Sequence, residues 1–383
     1  MTEREAHLAS WPLPQELTNL VIDQNAHDEV TLRTTSLVCH SWLHPSRRHL
    51  FKCVQIPLDE SGSGPLISLL KSPHCTFFPY SQTLDVVHRI ERVSEVWLNQ
   101  IKQVLSRFTG IEEISLQLLG DATPEDFVES LGALLRGNKI VQLIMTGVTF
   151  SNFESAASFI GSFPALQHLH FTAVTCKSMA PSAPIAPRPP LHWLSINLHQ
   201  NFEFVSMVLR WILSPEPVPT LQHLSISVLD MPSNEGLLTT LQSCLPAVRD
   251  TLKQFELLVI GTDSQFADDL TNGLDFSDFN LEAVNITFHE SIRHIIKALR
   301  YYSTLPTIQR LQVSHIFDFM APYDWENLDA VFRPPAFPAL QRLRFYGFEG
   351  SLDELKAHLP TCHERGLHFE LTSLVSEQMQ IPL

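Results

Sequence analysis

Nine times between residues 111 and 345 the chain repeats one short pattern: an apolar residue, two others, an apolar residue, one other, and an apolar residue again. The copies are Ile111/Ile114/Leu116, Ile140/Leu143/Met145, Leu166/Leu169/Phe171, Leu191/Leu194/Ile196, Leu221/Leu224/Ile226, Leu252/Phe255/Leu257, Leu281/Val284/Ile286, Ile308/Leu311/Val313 and Leu340/Leu343/Phe345. Weaker copies stand at Leu84/Val86 and at Leu367/Phe369/Leu371. Successive clear copies begin 25 to 32 residues apart. The alternation in the second half of each copy buries one side of a short strand and turns the other to solvent. Strands following one another in the same direction need crossovers, and a crossover of this length has room for one helix. No single unit buries its own apolar side, so each must stack on its neighbours. With 44% hydrophobic and 17% charged residues in 383, the chain has material for a large core.

Helix signals fall between the strands. Pro124-Glu125-Asp126 opens a stripe of Phe127, Leu131, Leu134 and Leu135, with Gly137 after it. Leu98, Ile101, Val104, Leu105 and Phe108 form another stripe, as do Ile292, Ile295, Ile296 and Leu299. Ser351 with Glu354 reads as a capping box ahead of Leu355 and Leu359. Ala180 to Pro190 holds five prolines and reads as an extended loop in place of a helix. A strand, turn and helix recurring at this period resembles the leucine-rich repeat, in a degenerate form. The family's Asn or Cys shortly after the strand is mostly missing: Val174 and His289 stand there in two copies. The resemblance implies an α/β fold, a curved solenoid with a parallel sheet on its inner face, over residues 57–383. An α/β globule with irregular parallel strands is the alternative.

Residues 12–56 follow other rules. Pro14 sits at a helix start, with Leu17, Leu20 and Val21 on one face. Asp28 and Glu29 lead a second helix carrying Leu32, Leu37, Val38 and Trp42. Pro45 opens a third, short helix to Phe51, which runs into a strand through Ile56. About forty-five residues are too few for a comfortable core of their own, so this module must lean on the repeats or on a partner. Leu13-Pro14-x-Glu16-Leu17, Leu32-x4-Leu37-Val38-Cys39-x-x-Trp42 and Arg47-Arg48-His49-Leu50-Phe51 together resemble an F-box, in the arrangement found at the head of many fungal leucine-rich-repeat proteins. His40 departs mildly from the family, which often carries a basic residue there. The resemblance implies that the head docks the Skp adaptor of a cullin-based, SCF-type ubiquitin ligase while the repeats hold a protein substrate, so that the chain is an adaptor and not an enzyme. Leu13, Pro14, Leu17, Val38 and Trp42 are the expected adaptor contacts. A scaffold whose head only caps the repeats is the alternative.

The rest of the sequence narrows the chemistry. There is no G-x-S-x-G elbow, Walker loop, G-x-G-x-x-G or H-E-x-x-H pattern, and Ser61-Gly62-Ser63-Gly64 lacks the lysine of a phosphate loop. His358 and Cys362, at helical spacing, are too few for a metal site, and no cofactor is expected. A net charge of −15 argues against a nucleic-acid partner. No apolar run reaches the ~18 residues needed to span a bilayer, and Met1 to Leu13 lacks a signal-peptide-like stretch. Six scattered cysteines point to reduced thiols and to a cytoplasmic or nuclear location. Asn285-Ile286-Thr287 is a glycosylation sequon inside an expected strand. The solvent side of the expected sheet carries His168, His170, Trp193 and His223 in its middle and Arg310, Arg342 and Arg344 near one end. These seven are the candidate contacts to a substrate of unknown identity, weighed against the plain fact that outward strand positions are polar in any such array.

Overall fold

The computed structural model describes residues 14–58, 60–88, 94–118, 125–178, 187–198, 202–214, 220–229, 235–260, 269, 273–288, 292–315, 324–346, 348 and 350–372. The chain divides into two compact units, 1–140 and 141–383.

The first unit opens with helices α1 (Gln15–Gln24), α2 (Glu29–Thr35) and α3 (His40–Leu50). Strands β1 (Cys53–Pro57), β2 (Thr83–His88) and β3 (Glu113–Leu118) follow, with α4 (Glu60–Lys71), α5 (Glu95–Leu105) and α6 (Glu125–Leu135) between and after them. The strands are parallel and in register, Val54 beside Leu84 beside Ile114 and Ile56 beside Val86 beside Leu116. All six of these side chains are buried. The stripes expected on α5 and α6 face inward: Leu98, Ile101, Val104, Leu105, Phe127, Leu131 and Leu135 are buried, with Leu134 at the boundary.

Two helix boundaries in the head differ from expectation. The second helix stops at Thr35, and Trp42 belongs to α3, which starts at His40 and runs through Pro45. The chain tightens through Ser36 with the Leu37 and Val38 amides donating to Thr34 and Thr35, and Cys39 is extended (φ −162°, ψ 171°). A proline inside a helix leaves the carbonyl four residues back without its donor. That carbonyl, on Ser41, accepts instead from Gln15 Nε2 at 3.1 Å, which ties α1 to α3.

The second unit contains β4 (Gln142–Thr146), β5 (Thr149–Asn152), α7 (Phe153–Gly161), β6 (His168–Thr172), β7 (Thr175–Ser178), β8 (Trp193–Leu198) and α8 (Phe202–Ile212). It continues with β9 (His223–Leu229), α9 (Glu235–Cys244), β10 (Gln254–Ile260), β11 (Ala283–Phe288), α10 (Ile292–Tyr302) and β12 (Arg310–His315). Last come α11 (Trp325–Val331), β13 (Arg342–Tyr346), α12 (Leu352–His358), α13 (Pro360–Glu364) and β14 (His368–Thr372). Nine strands form one parallel sheet in the order β4-β6-β8-β9-β10-β11-β12-β13-β14, and β5 pairs with β7 beside it. The repeat copies lie in register: Leu143, Leu169, Leu194, Leu224, Phe255, Val284, Leu311, Leu343 and Phe369 are neighbours in one buried row.

Main-chain bonds tie the start of each strand to the next. The carbonyl just before or at the start of each strand accepts from two consecutive amides of the next: Val141 from Gln167 and His168, Gln167 from His192 and Trp193, and so on to Gln309, which accepts from Gln341 and Arg342. Thr220 and Thr307 hydroxyls bond the Leu191 and Leu281 carbonyls. In the first unit Asn138, buried, accepts from the Ile111 amide and donates to Phe108. Unsatisfied carbonyls at helix ends are taken by arginines. Arg107 bonds Leu70 and Ser72 after α4. Arg188 bonds Trp211, Ile212 and Ser214 after α8, so the described end of the proline-rich loop is an anchor. Arg365 bonds Phe332, Ala336 and Phe337 after α11. The loop's residues 180–186 lie outside the described residues. At the far end the capping box of Ser351 and Glu354 is formed on α12. The single helix expected through His358 and Cys362 is two, separated by Leu359 and restarting at Pro360. His358 stacks on Trp325 with centroids 4.6 Å apart and Cys362 is fully buried. Among the described residues no group of three His, Cys, Asp or Glu is placed to hold a metal.

Candidate functional site

Two surfaces gather the residues singled out in the sequence. The first is on the head. Its interior is small and partly polar: Thr18, Ile22, Leu32 and Ser46 are buried, Thr35 Oγ1 meets Ser46 Oγ at 2.8 Å, and His49 Nε2 meets Asp23 Oδ1 at 2.7 Å. With Thr18 and Ile22 facing in, the stripe of Leu17, Leu20 and Val21 on α1 faces out, all three exposed. Val30 is 75% exposed, Leu37 86% and Val38 61%. Six large apolar side chains on forty residues thus meet water, beyond what scattered surface apolars explain. Of the expected adaptor contacts, Pro14, Leu17 and Val38 are exposed and Trp42 is half-buried; Leu13 lies outside the described residues. Leu20 and Val21 share the exposed side of α1 with Leu17; these two, with Val30 and Leu37, were not singled out as contacts from the sequence. The signal that separates the two sides of α1 is the pair Thr18 and Ile22 at i, i+4, which competes with the more apolar stripe and wins because a small threonine lets helices approach closely.

The second surface is the solvent side of the nine-stranded sheet. One row across the strands reads Gln142, His168, Trp193, His223, Gln254, Ala283, Arg310, Arg342 and His368. The next reads Ile144, His170, Ser195, Ser225, Glu256, Asn285, Gln312, Arg344 and Glu370. All seven candidate substrate contacts therefore share this face. Trp193, at 36% exposure, lies flat on the buried His223 ring, centroids 3.8 Å apart and 10° from parallel, with His168 and His170 about it at 6.1 and 5.9 Å. His223 is therefore a platform for the indole rather than an exposed contact. Its Nε2 stands 3.4 Å from Glu256 Oε2, a distance of electrostatic contact rather than a well-formed hydrogen bond.

Electrostatics sort these groups. Burial pushes the Glu256 carboxyl up, but His223, Gln254 and Ser225 together hold it below the ordinary carboxylate value. Burial lowers His168, with His192 adding to it, and lowers His170, with His168 and His223 adding. Arg344 donates from Nε and Nη2 to Glu370 Oε2 at 2.7 and 2.6 Å, and that bond, foremost, holds Glu370 below its usual value. Arg310 and Arg342 are exposed and directly opposed on β12 and β13; neither forms a salt bridge with a carboxylate among the described residues, although the Arg342 charge adds to the pull on Glu370. Between these groups a pocket of about 120 Å³ is lined by Gln254, Glu256, Ala283, Asn285, Gln312, Arg310, Arg342, Arg344 and Glu370. Ala283, the smallest side chain of its row, leaves the space. Glu256, Asn285 and Glu370 were not expected as site residues, because pairing across strands becomes visible only with the register.

The titrating groups of this face all favour neutral to mildly alkaline pH. A histidine whose folded pKa lies below its unfolded value stabilises above the unfolded value, near 6.5, and loses that contribution as pH falls toward the folded one. Glu256, depressed in the fold, stabilises above about 4.5 and loses its contribution as pH falls through its folded value. The second unit is expected to lose stability in two steps on acidification, the first below about 6.5. Chemical unfolding followed by tryptophan fluorescence from pH 8 down to about 2.5, a range that brackets both steps, checks this, and a Glu256→Gln variant should flatten only the more acidic step.

No protein-family model and no curated protein sequence matches the chain. A crystal structure of a protein from Bacteroides fragilis aligns with 60% of this chain and 74% of its own, at 16% identity and a TM-score of 0.35, a likeness too distant to carry any argument about fold family or function. No helix among the described residues is long and apolar enough to cross a membrane.

Proposed function

We propose that this chain is a substrate receptor of a cullin-based, SCF-type ubiquitin ligase, a non-catalytic adaptor whose F-box-like head docks the Skp adaptor and whose leucine-rich-repeat-like solenoid presents a protein substrate on the inner side of its sheet. The observation that carries the reading is the apolar set on the head: Leu17, Leu20, Val21, Val30, Leu37 and Val38 all meet solvent. Burying such a side chain against a partner stabilises the complex by roughly 1.5–3 kcal/mol each, so a few anchors suffice. Affinity purification of the full chain should bring down the Skp adaptor, and a Leu37→Asp/Val38→Asp variant should lose it while keeping its thermal midpoint. Unchanged recovery of the adaptor removes the reading. Cys39 gives an independent measure. It is exposed, and the Ser41 hydroxyl lowers its thiol pKa, whereas Cys53, exposed at its surface but with its thiol partly desolvated against the Asp85 carboxylate, is pushed up to about 12, as burial pushes Cys176. Iodoacetamide is expected to label Cys39 well ahead of Cys53 and Cys176, and bound adaptor to protect it, as read by mass spectrometry.

A repeat scaffold with a capping head is favoured by different contacts. Phe51 stacks on Phe77 with centroids 4.5 Å apart, His44 meets the Tyr80 hydroxyl at 2.7 Å, and β1 covers the edge of β2, which would otherwise offer unpaired backbone to other chains. In that case removing residues 1–58 precipitates the remainder and the intact chain recovers no adaptor.

A further inference from the structure

We infer that the pocket beside Arg310 and Arg342 is an anion site for an extended acidic segment of a partner polypeptide, with Trp193 as the seat for an apolar side chain of the same segment. Three guanidinium groups, Arg310, Arg342 and Arg344, meet at the pocket, and one of the three is neutralised by Glu370. The second carboxylate in the lining, Glu256, is engaged by His223, Gln254 and Ser225. Three arginines against two carboxylates leave the lining with a net charge of about +1. Arg310 and Arg342 stand directly opposed in adjacent strands with no salt bridge of their own among the described residues, an arrangement that costs stability in a sheet and that an anionic group between them would relieve. A phosphoryl group carries ~1.5–2 negative charges at neutral pH, and paired acidic side chains carry the same total. The pocket has neutral hydrogen-bonding groups as well. Gln312 stands between Asn285 and Arg344 in its row, and Asn285 Oδ1 is buried with no hydrogen-bond partner. An amide turned end for end presents two N–H donors at the same place. The whole chain is strongly acidic, at −15, so this cationic hollow stands against a field that repels anions elsewhere and focuses them here.

The geometry sets the form of the ligand. Trp193 is on β8 and Arg310 on β12, four strand intervals apart in the same row, or ~19 Å at ~4.8 Å per interval. An extended peptide lying across the strands covers ~3.3 Å per residue, so the anionic group and the apolar residue should be about six positions apart. An isolated inorganic ion would use the pocket and leave the indole idle. This assignment deepens the receptor reading by naming the kind of segment held, and it is tested with the full chain alone, so that peptide binding and adaptor binding succeed or fail separately.

The probe is a set of three peptide pools of about fifteen residues, long enough for the ~24 Å from β8 to β13 at extended spacing, randomised around a fixed phosphoserine, a fixed Glu-Glu pair or a fixed serine. The full chain should retain the phosphoserine or the Glu-Glu pool at least tenfold over the serine pool, and which of the two is retained identifies the source of the charge. Selected peptides should carry an aromatic or branched apolar residue about six positions from the anion, and a Trp193→Ala variant should erase that preference. An Arg310→Gln/Arg342→Gln variant should lose the retention at least tenfold while its unfolding midpoint holds or rises, since removing opposed like charges relieves repulsion; a merely structural role for the pair would lower the midpoint instead. Equal retention of the three pools, or full retention by the double-glutamine variant, overturns the assignment. So does displacement of the bound pool by an equimolar concentration of inorganic phosphate with no apolar preference in the selected peptides, which would leave a free-anion site.

Discussion

Replacing Phe276 with alanine is expected to lower the unfolding free energy by ~3–5 kcal/mol, the range for emptying a buried aromatic site. Phe276 is fully buried and holds three rings: Phe255 at 4.8 Å, Phe279 at 5.0 Å edge-on and Tyr302 at 5.8 Å. It joins the strand β10, through Phe255, to the helix α10, through Tyr302. Each aromatic pair adds ~0.5–1.5 kcal/mol beyond the area it buries, and truncation loses all three together. Phe279 and Tyr302 cannot close the gap without leaving their own seats, so most of the cavity should persist. Urea unfolding of wild type and variant, with the denaturant slope unchanged, measures the difference. Phe276→Leu should recover about half of it. A loss of under ~1 kcal/mol would mean that the cluster is not what holds these two elements together. Gln254 and Glu256 flank Phe255 on the solvent side of β10, so the same cavity loosens the wall of the anion pocket.

The strands were legible because two periods coincide. Apolar residues alternate within each copy and the copies recur, so Leu224, Phe255 and Val284 had to share a row, and their neighbours His223, Gln254 and Ala283 had to share the opposite face. Helices were legible where side chains cap or stripe them, as at Ser351 and Glu354 or at Leu98 and Ile101. Where the backbone decides, the sequence is silent. The carbonyls of Gln222 and Lys253, each accepting two amides of the following strand, leave no mark in residue type. On α1 the sequence groups Leu17, Leu20 and Val21 on one face, and that face is the exposed one; the inward pair Thr18 and Ile22 was not signalled, because apolar content alone does not mark a threonine as a packing residue. The break between α2 and α3 lacks glycine or proline and is made by Ser36 to Cys39 alone. At the sheet face, residue identities could be placed in rows, but the flat stack of Trp193 on His223 and the pairing of Arg344 with Glu370 depend on side-chain torsions that no pattern encodes.

That dependence gives Asp329 its importance. Asp329 is buried on α11, and its two oxygens accept from the Thr361 amide at 2.9 Å and the Thr361 hydroxyl at 2.6 Å. Thr361 lies in the first turn of α13, where amides have no partner within the helix and a carboxylate meets the positive end of the dipole. Hydrogen bonds to a charged group contribute ~1.5–3 kcal/mol, and leaving a buried donor unmade costs more than the bond is worth. Asp329→Ala is therefore expected to destabilise the second unit by ~2–4 kcal/mol, and Asp329→Asn, which keeps one acceptor, by about half as much. The loss should be local before it is global. Cys362, the residue after Thr361, is buried and its thiol is pushed far up by burial and then by the Asp329 charge. In the alanine variant it should become open to iodoacetamide at denaturant concentrations where tryptophan fluorescence is still native. The strand β14 follows α13 directly and carries Glu370, the partner of Arg344. Loosening α13 then frees a third arginine at the pocket, so the alanine variant should hold acidic peptides no more weakly than wild type while unfolding more readily. Labelling of Cys362 that rises only with global unfolding would show that α13 is held by its apolar contacts instead.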